Sequence, residues 1–325
     1  MFSAPSMHDS ISGYSRRTAC PCCGAPISAA GRRISSSPRA EDVPFDRHGE
    51  FLSGYVPHRI FFTYQRCEQC DACYCPLYYS AEQLRQLYER QPENMADVPL
   101  GSRERTQAGY LQILRRHSRM AGGLLEIGAD IGLFAEACAD AGQFDRLWLA
   151  EPNTGVHAQL ERRFAGRNAS ILATMSPAAA VPPGTASTAV MIHVLDHLPE
   201  PAAALRDVFR TLEPGGVLMI VTHNVGSRLA RLLGRRWPPF TLQHPHLFSP
   251  RAMRSLVSAC GFEEVDIVRT TNYFPASFLM RAGLTVFGLP AKWVPERSGP
   301  DVGVKLGNIC TLARRPIGRM GGGEN

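Results

Sequence analysis

Residues 124–134, LLEIGADIGLF, decide how the rest of the chain is read. An apolar run broken only by Glu126 ends at Gly128, and a second apolar run opens after Gly132. The pattern is that of a strand passing into a nucleotide-binding turn and then a helix. Asp130 stands where such turns most often carry a second glycine. A nicotinamide fingerprint would need glycines at 128, 130 and 133, and the chain has Gly128, Asp130 and Leu133, so a dehydrogenase is disfavoured. What remains is Glu126-x-Gly128-x-Asp130-x-Gly132. Aspartate is among the few non-glycine residues that tolerate a left-handed backbone, so Asp130 can keep the turn.

Outward from this turn, short apolar strands alternate with helices, which is the signature of a parallel sheet with helices on both faces. GLLEIG, RLWLAE, SILAT, STAVMIHVL, VLMIVTHN, FEEVDIVRT and VKLGNICTLARRP read as seven strands. The last two suit an antiparallel hairpin interrupted by an insertion over 275–303. The expected fold is a Rossmann-like, doubly wound seven-stranded sheet with an antiparallel last strand, occupying 119–316. Ligands of such sheets bind at the carboxyl ends of the strands, which directs attention to 128–132, Glu151, 193–197 and His223-Asn224. Glu151 can accept hydrogen bonds from both ribose hydroxyls of a nucleoside, as an acidic residue does at that strand end in dinucleotide folds; without the upstream motif it would read as a solvated loop carboxylate.

Seven of ten cysteines lie before residue 76, which marks a separate N-terminal module over 1–80. CPCC supplies Cys20 and Cys23 as a C-x-x-C pair, and CEQC supplies Cys67 and Cys70 as a second. Two such knuckles complete a tetrahedral four-thiolate zinc site, and a closed ligand set makes the ion structural rather than catalytic. Cys70 with Cys73 has the same spacing and is an alternative pair. Cys73 and Cys75 alternate at a strand period and otherwise read as buried small hydrophobes, and Cys22 is surplus. A helical connector over 81–118 follows, with SAEQLRQLYERQ and RERTQAGYLQILRRHSRM as helices and PENMADVPLGS as a linker between them.

The ordered set of motifs resembles the class I S-adenosylmethionine-dependent methyltransferases, whose first motif runs acidic-x-Gly-x-Gly-x-Gly. HVLDHLPEPAAALRDVFRTLEPGGVLMIVTHN is similar to the family's later core, HLFSPRAMRSLVSACGF to its next helix, and LGNICTLARRP to its closing strand. CPCCG together with RCEQC and SAEQLRQLYE resembles a zinc ribbon found ahead of members acting on sugars, glycans or secondary metabolites. The resemblance implies S-adenosylmethionine as cofactor, held by Glu126, Gly128, Asp130, Gly132, Glu151 and His193. Gly128 and Gly132 would admit the methionine portion because they lack side chains, and the Asp130 carboxylate would face its ammonium group. It also implies a small-molecule or glycan acceptor, methylated on oxygen in bacterial surface-polysaccharide or secondary-metabolite synthesis. Two family positions differ: Ser187 stands where an aspartate often precedes the fourth strand, and ATMSP lacks the aspartate that contacts adenine.

Transfer to oxygen or nitrogen commonly uses a base, and histidine suits neutral pH. His193, His223 and His246 are the candidates at strand ends or in QHPHLF, while His197 in DHLPEP reads equally well as a turn cap. The insertion over 225–248, with its leucines, arginines and Trp237, suits either a lid or an amphipathic packing segment. The apolar 275–303 insertion, interrupted by Arg281, Gly283 and Gly288, could meet a membrane or lipid-linked substrate; a buried cap or self-association surface is the plainer reading.

The formal net charge is +6, carried almost wholly by arginine, with only Lys292 and Lys305 as lysines. The basic residues are dispersed, so nucleic acid is a disfavoured partner. No apolar run is long enough to span a bilayer, and MFSAPSMHDSISGYSRR lacks a secretory core, which leaves the cytoplasm as the expected compartment. An RNA methyltransferase, and a zinc-ribbon binding protein with a degenerate methyltransferase domain, are the competing functions. The tail at 317–325 is expected to be flexible.

Overall fold

Leu124 to Ile127 are buried on both faces of strand β1 (Ala121–Ile127), which is why this strand reads as a continuous apolar run and not as an alternation. Leu125 and Ile127 face one core and Leu124 the other. The computed structural model describes residues 13–27, 31–52, 58–88, 98–296 and 298–317. The linker expected from residue 92 lies outside them as far as 97, and the tail from 318.

Around β1 stand β2 (Gln143–Ala150), β3 (Ala169–Leu172), β4 (Ala186–Ile192), β5 (Leu212–His223), β6 (Glu263–Arg269) and β7 (Asn308–Arg314). They form one seven-stranded sheet in the order β6-β7-β5-β4-β1-β2-β3. Strands β1 to β5 pair in parallel, and β7 runs antiparallel to both β5 and β6. This is the Rossmann-like sheet expected. Strand order reverses between β1 and β4, and that switch point opens a crevice at their carboxyl ends.

Helices α1 (Ala81–Tyr88) and α2 (Leu100–Leu114) precede the sheet. α3 (Leu133–Ala141), α4 (His157–Arg163) and α5 (Pro201–Thr211) are crossovers, α6 (Arg228–Leu233) lies in the first insertion, α7 (Pro250–Ala259) leads to β6, and α8 (Ala276–Val286) lies in the second. α2 starts inside the expected linker, at Leu100, because the Pro99 carbonyl accepts from the Ser102 and Arg103 amides and closes a first turn there. Its Tyr110 and Leu114 are buried against α3 and the sheet, which makes α2 part of the methyltransferase core rather than a connector.

The cysteine module shares its own sheet with the main domain. Arg33–Ile34, Tyr64–Arg66 and Cys73–Tyr74 are extended by a fourth strand, His246–Leu247, which comes from the 225–248 insertion. Tyr78 Oη donates to Leu242 O at 2.7 Å, Cys75 N to Pro245 O at 2.8 Å, and Arg251 to Gln69 O at 2.6 Å. Trp237, Phe240 and Leu242 are buried among Phe61, Tyr64 and Tyr78. The insertion is therefore a packed seam between module and domain, and the packing reading replaces the lid. Trp237→Ala should cost about 3–5 kcal/mol of stability, the usual toll for deleting a buried aromatic. A denaturant midpoint within experimental error of the parent would show that the seam is not closed in solution.

The second insertion begins earlier than expected, because Asn272–Pro275 pairs antiparallel with Asp301–Val304 as a ribbon beyond β6 and β7. It carries α8 and leaves Met280, Phe287, Leu289 and Trp293 exposed, so it is not a buried cap. Among the described residues no helix is long and apolar enough to cross a membrane.

Candidate functional site

The turn after β1 is built on three left-handed residues, with φ of +73° at Gly128, +48° at Asp130 and +82° at Gly132. Gly128 N donates to Ala150 O at 2.7 Å, so the turn is tied to the end of β2. A Cβ at Gly128 would lie 2.3 Å from Val194 Cγ2, in the crevice wall. A Cβ at Gly132 would instead lie 2.6 Å from Phe164 and 2.8 Å from Leu160. The absence of a side chain at Gly132 lets α3 approach the helix α4 segment, which is a packing reason for this glycine.

Asp130 keeps the turn, as expected of an aspartate. Its carboxylate, however, pairs with Arg103 on α2 at 2.7 Å. Its amide donates to Glu151 Oε2 at 2.8 Å, and Asn153 N donates to Glu151 Oε1 at 2.8 Å. Glu151 is thus aimed at the turn by two backbone amides, and each oxygen keeps a second lone pair for a hydroxyl. Glu126 is buried beside the N-terminus of α3, and one of its oxygens has no hydrogen-bond partner. Burial pushes its carboxyl well above the ordinary range, with Asp130 and Glu151 adding to the rise. A buried oxygen without a partner among the described residues, a left-handed turn and the Glu151 carboxylate held at its edge fit a nucleoside sulfonium such as S-adenosylmethionine.

Across the switch point, β4 and β5 end in histidines. His193 follows β4 at a left-handed φ of +52°, a strained setting for this residue type, and His223 is the last residue of β5. Their rings lie 4.6 Å apart. Asn308 on β7 joins them: His223 Nδ1 and Asn308 Oδ1 are 3.0 Å apart, and Asn308 Nδ2 is 3.3 Å from His193 Nε2. Asn308 is in turn held by Asn272, which donates to Tyr110 Oη at 2.8 Å. Asp196, wholly buried, lies 3.9 Å from His223 Nε2. Burial pushes His193 down to about 3, with the neighbouring His223 ring acting in the same direction, so it is neutral at physiological pH.

Of the other histidines, His244 stacks edge-on against both His223 and His197. His246 does not join the pair. It is wholly buried in the seam strand opposite Tyr74, its Nε2 donates to Leu195 O at 3.0 Å, and burial pushes it down to about 3. A ring with no exposed face cannot meet an acceptor, so His246 is structural. Asp196, Asn308, Asn272 and Arg103 were not singled out from the sequence. A carboxylate four residues beyond an apolar strand is the one signal for Asp196; Asn308 has none, being 85 positions from its partner His223.

In the module, Cys20, Cys23, Cys67 and Cys70 bring their sulfurs within 4.8 Å of one another. Both knuckles fold alike: Gly24 N donates to Cys20 O as Asp71 N does to Cys67 O, and Cys20 N donates to Ala25 O as Cys67 N does to Ala72 O. Asp71, at φ +71°, takes the place that Gly24 holds at +73°. Hydrogen bonds from Cys22 and Cys70 draw the Cys20 thiol down to about 2, whereas burial pushes Cys23 up to about 11. Four thiolates this close repel one another, and a bound cation would offset that repulsion. The Cys70–Cys73 alternative does not form, since Cys73 is turned into the sheet core.

A separate groove of about 530 Å³ runs between Arg47, Phe61, Arg235 and Phe287, and none of its lining residues belongs to the turn or the histidine cluster.

A glycine turn tied to the end of β2, an acidic residue at that strand end and a polar wall across the switch point define a class I S-adenosylmethionine-dependent methyltransferase. A methyltransferase-domain family matches residues 101–267, just over half of the chain, and the chain belongs to it. It is 28% identical over 153 residues to a ubiquinone biosynthesis O-methyltransferase of Idiomarina loihiensis, spanning 44% of this chain and 63% of that relative. The chain therefore matches less than two thirds of that enzyme's length. Among solved structures, a chain from the Haloferax volcanii complex between the Trm112 methyltransferase activator and a methyltransferase superposes with a TM-score of 0.51 at 13% identity. That superposition covers 66% of this chain and 92% of the other. The YcgJ protein of Bacillus subtilis gives a TM-score of 0.49 at 16% identity, covering 66% and 99%.

Proposed function

We propose that the enzyme methylates a hydroxyl oxygen of a small molecule or glycan, in bacterial surface-polysaccharide or secondary-metabolite synthesis. The observation that carries this reading is the His193–His223 pair at the ends of β4 and β5, across the crevice from Gly128. A hydroxyl is a poor nucleophile until its proton is removed, and a pair of imidazoles backed by Asp196 suits that task better than it suits carbon or thiolate acceptors. The O-methylating relative points to the same acceptor atom. Glu126, Gly128, Asp130, Glu151 and His193 surround the cofactor in this reading, and Gly132 supports them from behind. Bound S-adenosylmethionine supplies the methyl group, while the chain positions the acceptor in line and takes charge of its proton. The four-cysteine cluster holds a structural zinc ion. Exposed Phe287, Leu289 and Trp293 on the second insertion are where a lipid-linked acceptor would be met.

Calorimetric titration of the zinc-loaded chain with S-adenosylhomocysteine is the test, and absence of binding at millimolar ligand would sink the enzyme reading. Glu151→Ala should weaken that binding about ten- to hundred-fold, as expected for hydrogen bonds to a charged group worth about 1.5–3 kcal/mol. Unchanged affinity would remove Glu151 from the cofactor site.

A further inference from the structure

We propose that His193, Asp196 and His223 bind a divalent first-row transition-metal ion, distinct from the ion of the cysteine cluster, at the acceptor side of the crevice. The three residues bring one ligand atom each within 4.8 Å of the others. Two imidazoles and one carboxylate suit iron, manganese, cobalt or zinc in the divalent state, and three protein ligands leave positions for a hydroxyl oxygen.

The surroundings of these atoms point to a cation independently of their spacing. Asp196 is 0% exposed and its Oδ1 has no hydrogen-bond partner. Among the described residues its Oδ2 meets the His223 amide, at 3.5 Å, and His223 Nε2, at 3.9 Å. In the neutral form of His223 its Nδ1–H donates to Asn308 Oδ1, and its Nε2 then faces the Asp196 carboxylate with a lone pair. Two acceptors facing one another in a buried site leave a gap that a positive ion fills. His193 offers one ring nitrogen as the third atom, and its buried Nδ1 has no hydrogen-bond partner among the described residues. Ligation through Nδ1 moves the ring proton to Nε2, which ends the 3.3 Å contact with Asn308 Nδ2 and requires these two donors to move apart. Asn308 orients the His223 ring from behind, the arrangement in which a ligand's second nitrogen is held by an outer partner. The left-handed backbone at His193 turns its ring into this cluster instead of continuing β4.

The inference rests on the proposed O-methylation and changes how the hydroxyl is activated: with the imidazoles engaged as ligands, the cation would lower the pKa of a bound hydroxyl and hold the oxygen in place. It needs no oxidant and no additional reactant. A proton leaves the hydroxyl for solvent or a nearby base, and the oxygen lone pair then attacks the methyl carbon as the carbon–sulfur bond breaks.

The test uses the full chain with zinc retained in the cysteine cluster, titrated with Co²⁺ and followed by visible absorption and elemental analysis. Wild type should take up one further equivalent, and its spectrum should lack the intense thiolate-to-cobalt charge transfer of a cysteine site. Asp196→Asn and His223→Gln should lose that equivalent while keeping the zinc, and Asn308→Leu should weaken it about 10- to 100-fold. Retained zinc and retained S-adenosylhomocysteine binding show that each variant is folded. No uptake by wild type, or unchanged uptake by Asp196→Asn and His223→Gln, overturns the proposal. Either result leaves the methyltransferase reading intact if S-adenosylhomocysteine still binds, whereas loss of that binding in wild type overturns the methyltransferase reading alone.

Discussion

Gly128→Asp should abolish measurable binding of S-adenosylhomocysteine. The residue sits at φ +73°, and the first carbon of any side chain would lie 2.3 Å from Val194 Cγ2. Left-handed strain costs about 1–3 kcal/mol and overpacking about as much again. Together these come to about 2–6 kcal/mol, which pushes the turn out of its binding shape, and the carboxylate's own bulk and charge in the crevice add to the loss of affinity. Calorimetry carried out well below the variant's own, lowered thermal midpoint isolates the effect on the site. Affinity within threefold of wild type would mean that the crevice beside Val194 does not receive the cofactor.

Replacing Cys23 and Cys70 together with serine should remove the ion from the cysteine cluster and unfold the module around it. Structural zinc contributes on the order of 10 kcal/mol to domains of this kind. The consequence reaches further here than in a free-standing ribbon. With the module open, Trp237, Phe240 and Leu242 lose the aromatic residues that cover them, and His246–Leu247 loses its strand partner. The expected result is a large fall in the thermal midpoint of the whole chain, with exposed apolar surface detectable by dye binding. Undiminished zinc content in the double variant would show that other cysteines hold the metal.

Much of the fold was legible because its signals are local. The seven strands, the crossovers and the β1 turn are each written in ten or so consecutive residues, where apolar period and glycine position decide the conformation. The two C-x-x-C pairs are local in the same sense, although spacing alone left Cys70–Cys73 open until the fold turned Cys73 into the core. The candidate site was legible only at its edges. His193, His223 and Glu151 stand at strand ends, where topology directs attention. The residues that hold them do not: Asn308 reaches His223 from an antiparallel strand, and Arg103 reaches Asp130 from a helix 27 positions upstream. Gly132 was assigned a ligand-facing reason, although its neighbours Leu160 and Phe164 are 28 and 32 positions away and nothing beside it announces them. His246 shows the converse failure. A histidine beside prolines in a polar-looking loop carries no mark that it will be a buried strand residue, because its partner strand is Cys73–Tyr74.

The shared sheet also bears on how the chain comes off the ribosome. Cys73–Tyr74 is synthesised 172 positions before His246–Leu247, the strand that completes its sheet. At about 5–20 residues per second, that interval is on the order of ten to thirty seconds. Throughout it, the aromatic face of the nascent module stays uncovered and its thiols stand open to whichever metal or oxidant arrives first. Early capture of zinc would keep the two knuckles in register while they wait, so availability of the ion during translation, and not only in the finished protein, should govern the yield of active enzyme.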